Sequence, residues 1–191
     1  SELLPEIGYR DFQNLSDNAL IPIAYYIVKG GKTDTIKAKK ALQQYYVVSQ
    51  VKGIFGGQSD QVLEKVRAEI KKQLTKDRTL DFKEFSKIKL PGGKSMQLTK
   101  DDLFELVEFT SYKSPTAYFL LSLIYPTVDF VVKKYDVDHI HPRSKFNRTN
   151  LQNIGITDME KIEYWKEEKC NQLPNLQLLG DKDNNRKRSK T

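Results

Sequence analysis

The sequence predicts an α+β protein, mostly helical, with a helical region over residues 1–128 and a smaller strand-bearing part over 129–191. Three observations predict it. Up to Pro126, apolar residues recur at helical spacing between cap and glycine signals. After it, β-branched residues and alternation take over in "TVDFVVKKYDVDHIHP". The chain's only two histidines, His139 and His141, close that stretch two positions apart.

Taken in order, Ser16 is placed to cap "DNALIPIAYYIVKGG", with Pro22 as a kink or restart and Gly30-Gly31 as the stop. Asp34 opens "TIKAKKALQQYYVVSQVKGIF", closed by Gly56-Gly57, and Ser59 opens a third segment in which Val62, Val66 and Ile70 share one face. A short helix is expected in "LDFKEFSKI", a break in "LPGGKSMQL", and a capping box at Thr99 and Asp102 ahead of "LFELVEFTSY". Ser114-Pro115 starts "TAYFLLSLIYP", which is apolar nearly all round and is therefore expected in the middle of the helical core. The pairs Tyr25-Tyr26 and Tyr45-Tyr46 read as core aromatics rather than base-stacking platforms. Beyond the histidines come a polar loop, "RSKFNRTNLQNIGI", and a helix in "TDMEKIEYWKEEKCNQL" with Thr157 and Glu160 as its capping box. A short strand, "PNLQLL", follows, and then a turn into a polar, basic helix, "GDKDNNRKRSK".

Composition sets the outer limits. With 191 residues the chain can bury a hydrophobic core unaided, and no apolar run reaches the ~20 residues a membrane helix needs, so no membrane contact is expected. A single cysteine, Cys170, excludes an intramolecular disulfide framework and fits a cytoplasmic setting. The start, "SELLPEIGYRDF", has neither an initiator methionine nor a signal-peptide pattern, and the chain reads as a piece of something longer. A net charge of +7 biases the surface toward polyanions, although the same charge also serves plain solubility. It is concentrated in "KDNNRKRSKT" at the C-terminus, either a phosphate-contacting helix or a solvated end.

What can two histidines at a strand end do? On an extended segment they project to one face, as a zinc pair would, but the chain has no further histidine and no second cysteine to complete such a cage. Nothing marks a nucleophile elbow, and Cys170 lies within a charged helix, so a serine or cysteine triad is not supported. Taken alone, the stretch reads equally well as two histidines satisfied by ordinary hydrogen bonds.

The stretch has company. "DHIHPRSKF", "LPNLQLL" and "DNNRK" stand in the order Asp-His, then Asn, then Asn-x-x-Lys. In this, residues 135–190 resemble the His-Me finger (HNH) nuclease superfamily. More narrowly they are similar to the C-terminal nuclease domain of GmrSD-type modification-dependent restriction proteins, in which a ParB-like NTPase domain and a helical region come first. The resemblance implies a ββα-metal core with an inserted helix, preceded by a helical docking region. It implies a metal-dependent endonuclease hydrolysing DNA by histidine-activated water, in bacterial defence against foreign or modified DNA. It makes His139 the general base, Asp138 and Asn184 the ligands of Mg²⁺ or Mn²⁺, Asn175 the residue that fixes the orientation of His139, and Lys187 the phosphate contact. Asn185 with Arg188 is the alternative register on the last helix. His141 is either a donor behind the base or a phosphate contact, and Arg143, Lys145 and Arg148 are placed to grip a DNA backbone. Asp136 lacks adjacency to the base, and Pro142 ends the strand. An NTPase domain or subunit is the implied partner, though no Gly-rich phosphate loop occurs here. The alternatives are a non-catalytic nucleic-acid-binding or scaffold module, or an RNase on the same finger.

The chemistry suits these residue types. Activating water near neutral pH calls for a base such as imidazole. Hard oxygen donors favour Mg²⁺ or Mn²⁺, which neutralise charge on the pentacoordinate phosphorus and the departing oxygen.

Overall fold

The computed structural model describes residues 3–7, 15–125 and 135–180. It is mostly helical with one small antiparallel sheet. Chain contacts divide the residues into two compact units: one runs to Thr99, the other takes Lys100–Tyr125 together with the described residues from Tyr135 onward.

The first unit contains α1 (Leu3–Glu6), α2 (Leu20–Val28), α3 (Ile36–Val51), α4 (Ser59–Leu74) and α5 (Phe82–Phe85). Pro22 falls in the first turn of α2, where its missing N–H costs nothing, so the chain restarts there after a 3₁₀ turn at Asp17–Ala19. Thr35, one residue after the expected Asp34, caps α3 by accepting from the Ala38 N–H, because its backbone is the extended one. Val62, Val66 and Ile70 of α4 are buried as their spacing predicts. Tyr45 and Tyr46 lie in the core with Tyr26, while Tyr25 stays partly exposed beside Lys29 and Arg67. Gly31 lies against the Tyr26 ring; a Cβ there would stand 2.3 Å from it. Two buried amides tie loops to helices. Gln50 accepts from the Ser16 N–H (2.9 Å) and donates to the Ser16 carbonyl (3.0 Å). Gln73 does the same with Asp81, at 2.8 and 3.3 Å.

The second unit contains α6 (Lys100–Phe109), α7 (Pro115–Ile124), β1 (Tyr135–His139), α8 (Arg148–Asn153), α9 (Met159–Glu167) and β2 (Leu176–Gly180). β1 and β2 pair antiparallel, Asp138 opposite Gln177 and His139 opposite Leu176. Directly opposed residues share a face and successive ones alternate. Val137, His139, Leu176 and Leu178 therefore lie on one face, and Asp136 and Asp138 on the other.

α7, expected in the middle of the helical core, packs on β1 and β2. Its buried run from Ala117 to Ser122 covers the sheet face that carries Leu176 and Leu178. A two-stranded sheet has too little surface of its own to bury an apolar face and needs such a cover. The α6–α7 connection is also pinned to this unit through backbone atoms: Leu173 donates to the Thr110 carbonyl at 3.0 Å and Tyr112 to the Asn171 carbonyl at 2.7 Å.

Two local expectations are corrected here. The stretch read as a polar loop after the histidines holds α8, whose N-cap Asn147 accepts from the Asn150 N–H. The cap of α9 is Asp158 rather than Thr157; its carboxylate accepts from the Lys161 N–H at 2.8 Å. The segment 126–134, the basic C-terminal segment and the helix expected there lie outside the described residues.

Candidate active site

His139 is the last residue of β1, and its side chain is almost fully buried at 8% exposure. Its backbone and its ring are both held. The ladder fixes its backbone opposite Leu176. Its ring lies against that of Tyr112, centroids 4.3 Å apart and planes at 45°. Its Nε2 stands 3.0 Å from Oδ1 of Asn171. Asn171 is reached because α9 runs out into a 3₁₀ turn at Lys169–Asn171, which the Cys170 side chain anchors inside the unit. Burial pushes the Cys170 thiol pKa up, and the thiol donates to the Lys166 carbonyl at 2.9 Å, which makes it a packing residue and not a nucleophile.

Asn175 has a different place from the one expected. It was assigned to orient His139, but its amide is spent on the peptide that follows. Oδ1 accepts from the His141 N–H at 2.9 Å, while Nδ2 donates to the carbonyls of His141 (3.0 Å) and Cys170 (2.7 Å). The Asn175 carbonyl takes the Ile140 N–H at 2.7 Å. The side chain has one acceptor and two donor hydrogens, and all are used. The chain leaving β1 is thereby clamped to the turn that enters β2, and the strand end bearing Asp138 and His139 is fixed on both sides.

Asp138, adjacent to His139, faces the opposite side of the sheet and is half-buried. His141 is exposed, held by its backbone and not by its ring. Arg143 and Lys145 stand exposed on a 3₁₀ turn immediately after Pro142, and Arg148 opens α8. Arg143 approaches Glu167 at 4.0 Å with both side chains mostly in solvent, so its charge remains on the surface. Phe146 stacks on Trp165, ring centroids 6.4 Å apart, and this pair seats the basic turn against α9. Lys169 donates to Glu108 at 2.9 Å and so links α6 to the turn that carries Asn171; the Lys169 ammonium draws the Glu108 pKa below the usual carboxylate range.

Asn184, Lys187 and Arg188 lie outside the described residues. The structure thus places Asn175 against the His141 peptide, two residues beyond His139, with Asp138 on the other sheet face and the basic turn following Pro142 in the chain. Among the described residues no three His, Cys, Asp or Glu side chains gather to hold a metal ion.

Tyr112 and Asn171 were not among the residues singled out from the sequence. Asn171 carried a faint signal, an asparagine where an amphipathic helix gives way to "QLPN", four residues ahead of Asn175. Tyr112 carried none, since it precedes His139 by a whole helix. No protein-family model matches the sequence, and no curated protein matches it either.

Proposed function

We propose that the second unit is the catalytic part of a metal-dependent endonuclease that hydrolyses DNA phosphodiesters, with His139 as the base that takes the proton of the attacking water. The observation that carries this reading is the buried imidazole at a strand end, with a carboxylate next to it in sequence on the other face and an exposed basic turn directly downstream. A purely structural histidine has no need of that neighbourhood.

In this reading Asp138 and Asn184 hold Mg²⁺ or Mn²⁺. One carboxylate and one amide make a sparse, hard donor set, of the kind that leaves most of the shell to water and phosphate oxygens. The half-buried Asp138 on a fixed strand end fits it. The bound cation would supply charge neutralisation at the phosphate and the departing oxygen. The protein's own groups do the rest. His139 holds the water and receives its proton. Asn175 keeps the strand end rigid. Arg143, Lys145 and Arg148, with His141, Lys187 and Arg188, bind the DNA backbone. Foreign or modified DNA as the target, bacterial defence as the setting, cytoplasmic location and a ParB-like NTPase partner belong to the same proposal and rest on the likeness of the three motifs.

The test is nicking of supercoiled plasmid by the wild type and by His139→Ala, each with Mg²⁺, with Mn²⁺ and with EDTA. Cutting by the wild type that needs the cation and falls about 100-fold or more in the variant is expected. Equal nicking by the two proteins removes His139 from the role.

A further inference from the structure

Three hydrogen bonds of Asn171 bear on the site. Its carbonyl accepts from the Tyr112 N–H at 2.7 Å, its Nδ2 donates to the Glu167 carbonyl at 2.8 Å, and its Oδ1 lies 3.0 Å from Nε2 of His139. The second of these settles the third. A peptide carbonyl can only accept, so the amide atom facing Glu167 must be the NH₂ group, and the atom facing His139 must be the oxygen. A carboxamide oxygen also can only accept. The nitrogen of His139 opposite it must therefore carry a hydrogen. In the neutral ring one nitrogen is a donor and the other an acceptor, so the lone pair is placed on Nδ1.

We propose that Asn171 is the positioning residue of the site: through the Glu167 carbonyl it fixes His139 in the Nε2–H form, with the ring lone pair on Nδ1. Tyr112 limits rotation of the same ring by packing against it at a tilt, and its own backbone is tied to Asn171. The tautomer thus follows from an asparagine that stands outside the Asp-His, Asn, Asn-x-x-Lys pattern. The inference rests on the nuclease reading for its purpose, but not for its geometry.

The two can be tested apart. With only two histidines in the chain, ¹⁵N-histidine labelling gives two ring systems, and His141→Gln assigns them. Long-range ¹H–¹⁵N spectra of the whole chain are taken about two pH units above imidazole's ordinary value of ~6.5. The wild type should show His139 protonated at Nε2, with a ring N–H protected from solvent exchange. Asn171→Leu should lose that protected signal. Plasmid nicking should fall about 10–100-fold in Asn171→Leu, with DNA affinity unchanged by fluorescence anisotropy. A wild-type ring protonated at Nδ1 or averaging between tautomers overturns the assignment without any variant, so a misfolded Asn171→Leu does not shield it. A protected Nε2–H that survives in Asn171→Leu, or full nicking without that signal, overturns it as well. The expected spectra in a protein that cuts no DNA under any cation would support the tautomer assignment and end the nuclease reading.

Discussion

Gln50 and Gln73 in the helical unit and Asn175 in the strand-bearing unit do the same thing locally: each buried carboxamide takes both the N–H and the C=O of one distant residue, Ser16, Asp81 and His141 respectively. The surroundings differ. Gln50 follows the buried Tyr45, Tyr46, Val47, Val48 and Ser49 along α3, and what it fastens is the entry to a helix. Asn175 lies in a polar cluster with His139, Gln172 and Asn171, and what it fastens is the peptide two residues beyond the candidate base. One fastening of the same chemistry thus secures a fold in the first unit and a reacting group in the second. The difference lies in what is fastened and not in the fastening itself.

The comparison is broken most severely at Asn175. Asn175→Ala orphans the His141 N–H and two carbonyls, which costs about 3 kcal/mol locally. It should speed amide exchange of His141 roughly 100-fold and lower plasmid nicking by a similar factor, as read by hydrogen exchange and gel assay. Next comes Tyr112→Leu. The ring face of His139 is then left to an aliphatic side chain, and nicking should drop about tenfold with little loss of stability, since an aromatic pair contributes about 1 kcal/mol. Gln50→Leu sharpens the contrast from the other side. The Ser16 and Leu15 amides lose their acceptor and should exchange faster by a factor corresponding to about 2 kcal/mol, while nicking stays within about twofold of wild type.

The smallest effect expected is at Glu108. Because Lys169 holds its carboxyl below the usual range, the pair stabilises above the ordinary carboxylate pKa and loses that contribution as pH falls through the lowered value. Both side chains are nearly one-third exposed, so the change should be slight, visible as a shallow acid-side slope in thermal melts that Glu108→Gln flattens.

Much of the fold was legible because it is written in local spacing. Val62, Val66 and Ile70 reveal the buried face of α4, Ser114-Pro115 the start of α7, and "PNLQLL" the strand β2. Caps were off by a residue at Thr35 and Asp158, where two neighbouring side chains could each accept from the first turn and only backbone conformation decides between them. The location of α7 was misjudged for a different reason. An all-round apolar helix announces that it is buried but not against what, and its partner, the sheet, lies later in the chain. At the candidate site, His139 and Asp138 stood out because histidine is scarce here. The true neighbour of the imidazole, Asn171, is a common residue type that acquires its role only through the turn after α9 and the carbonyl of Glu167.

The placement of α7 over the sheet has a practical consequence for dissecting the protein. A fragment beginning near residue 129, where the sequence changes texture, would part β1 and β2 from their lid. The leucines at 176 and 178 would then meet water, and Asn171 would lose the main-chain donor supplied by Tyr112. Such a fragment should aggregate on expression, whereas one beginning ahead of Lys100 retains α7 and the α6–α7 connection.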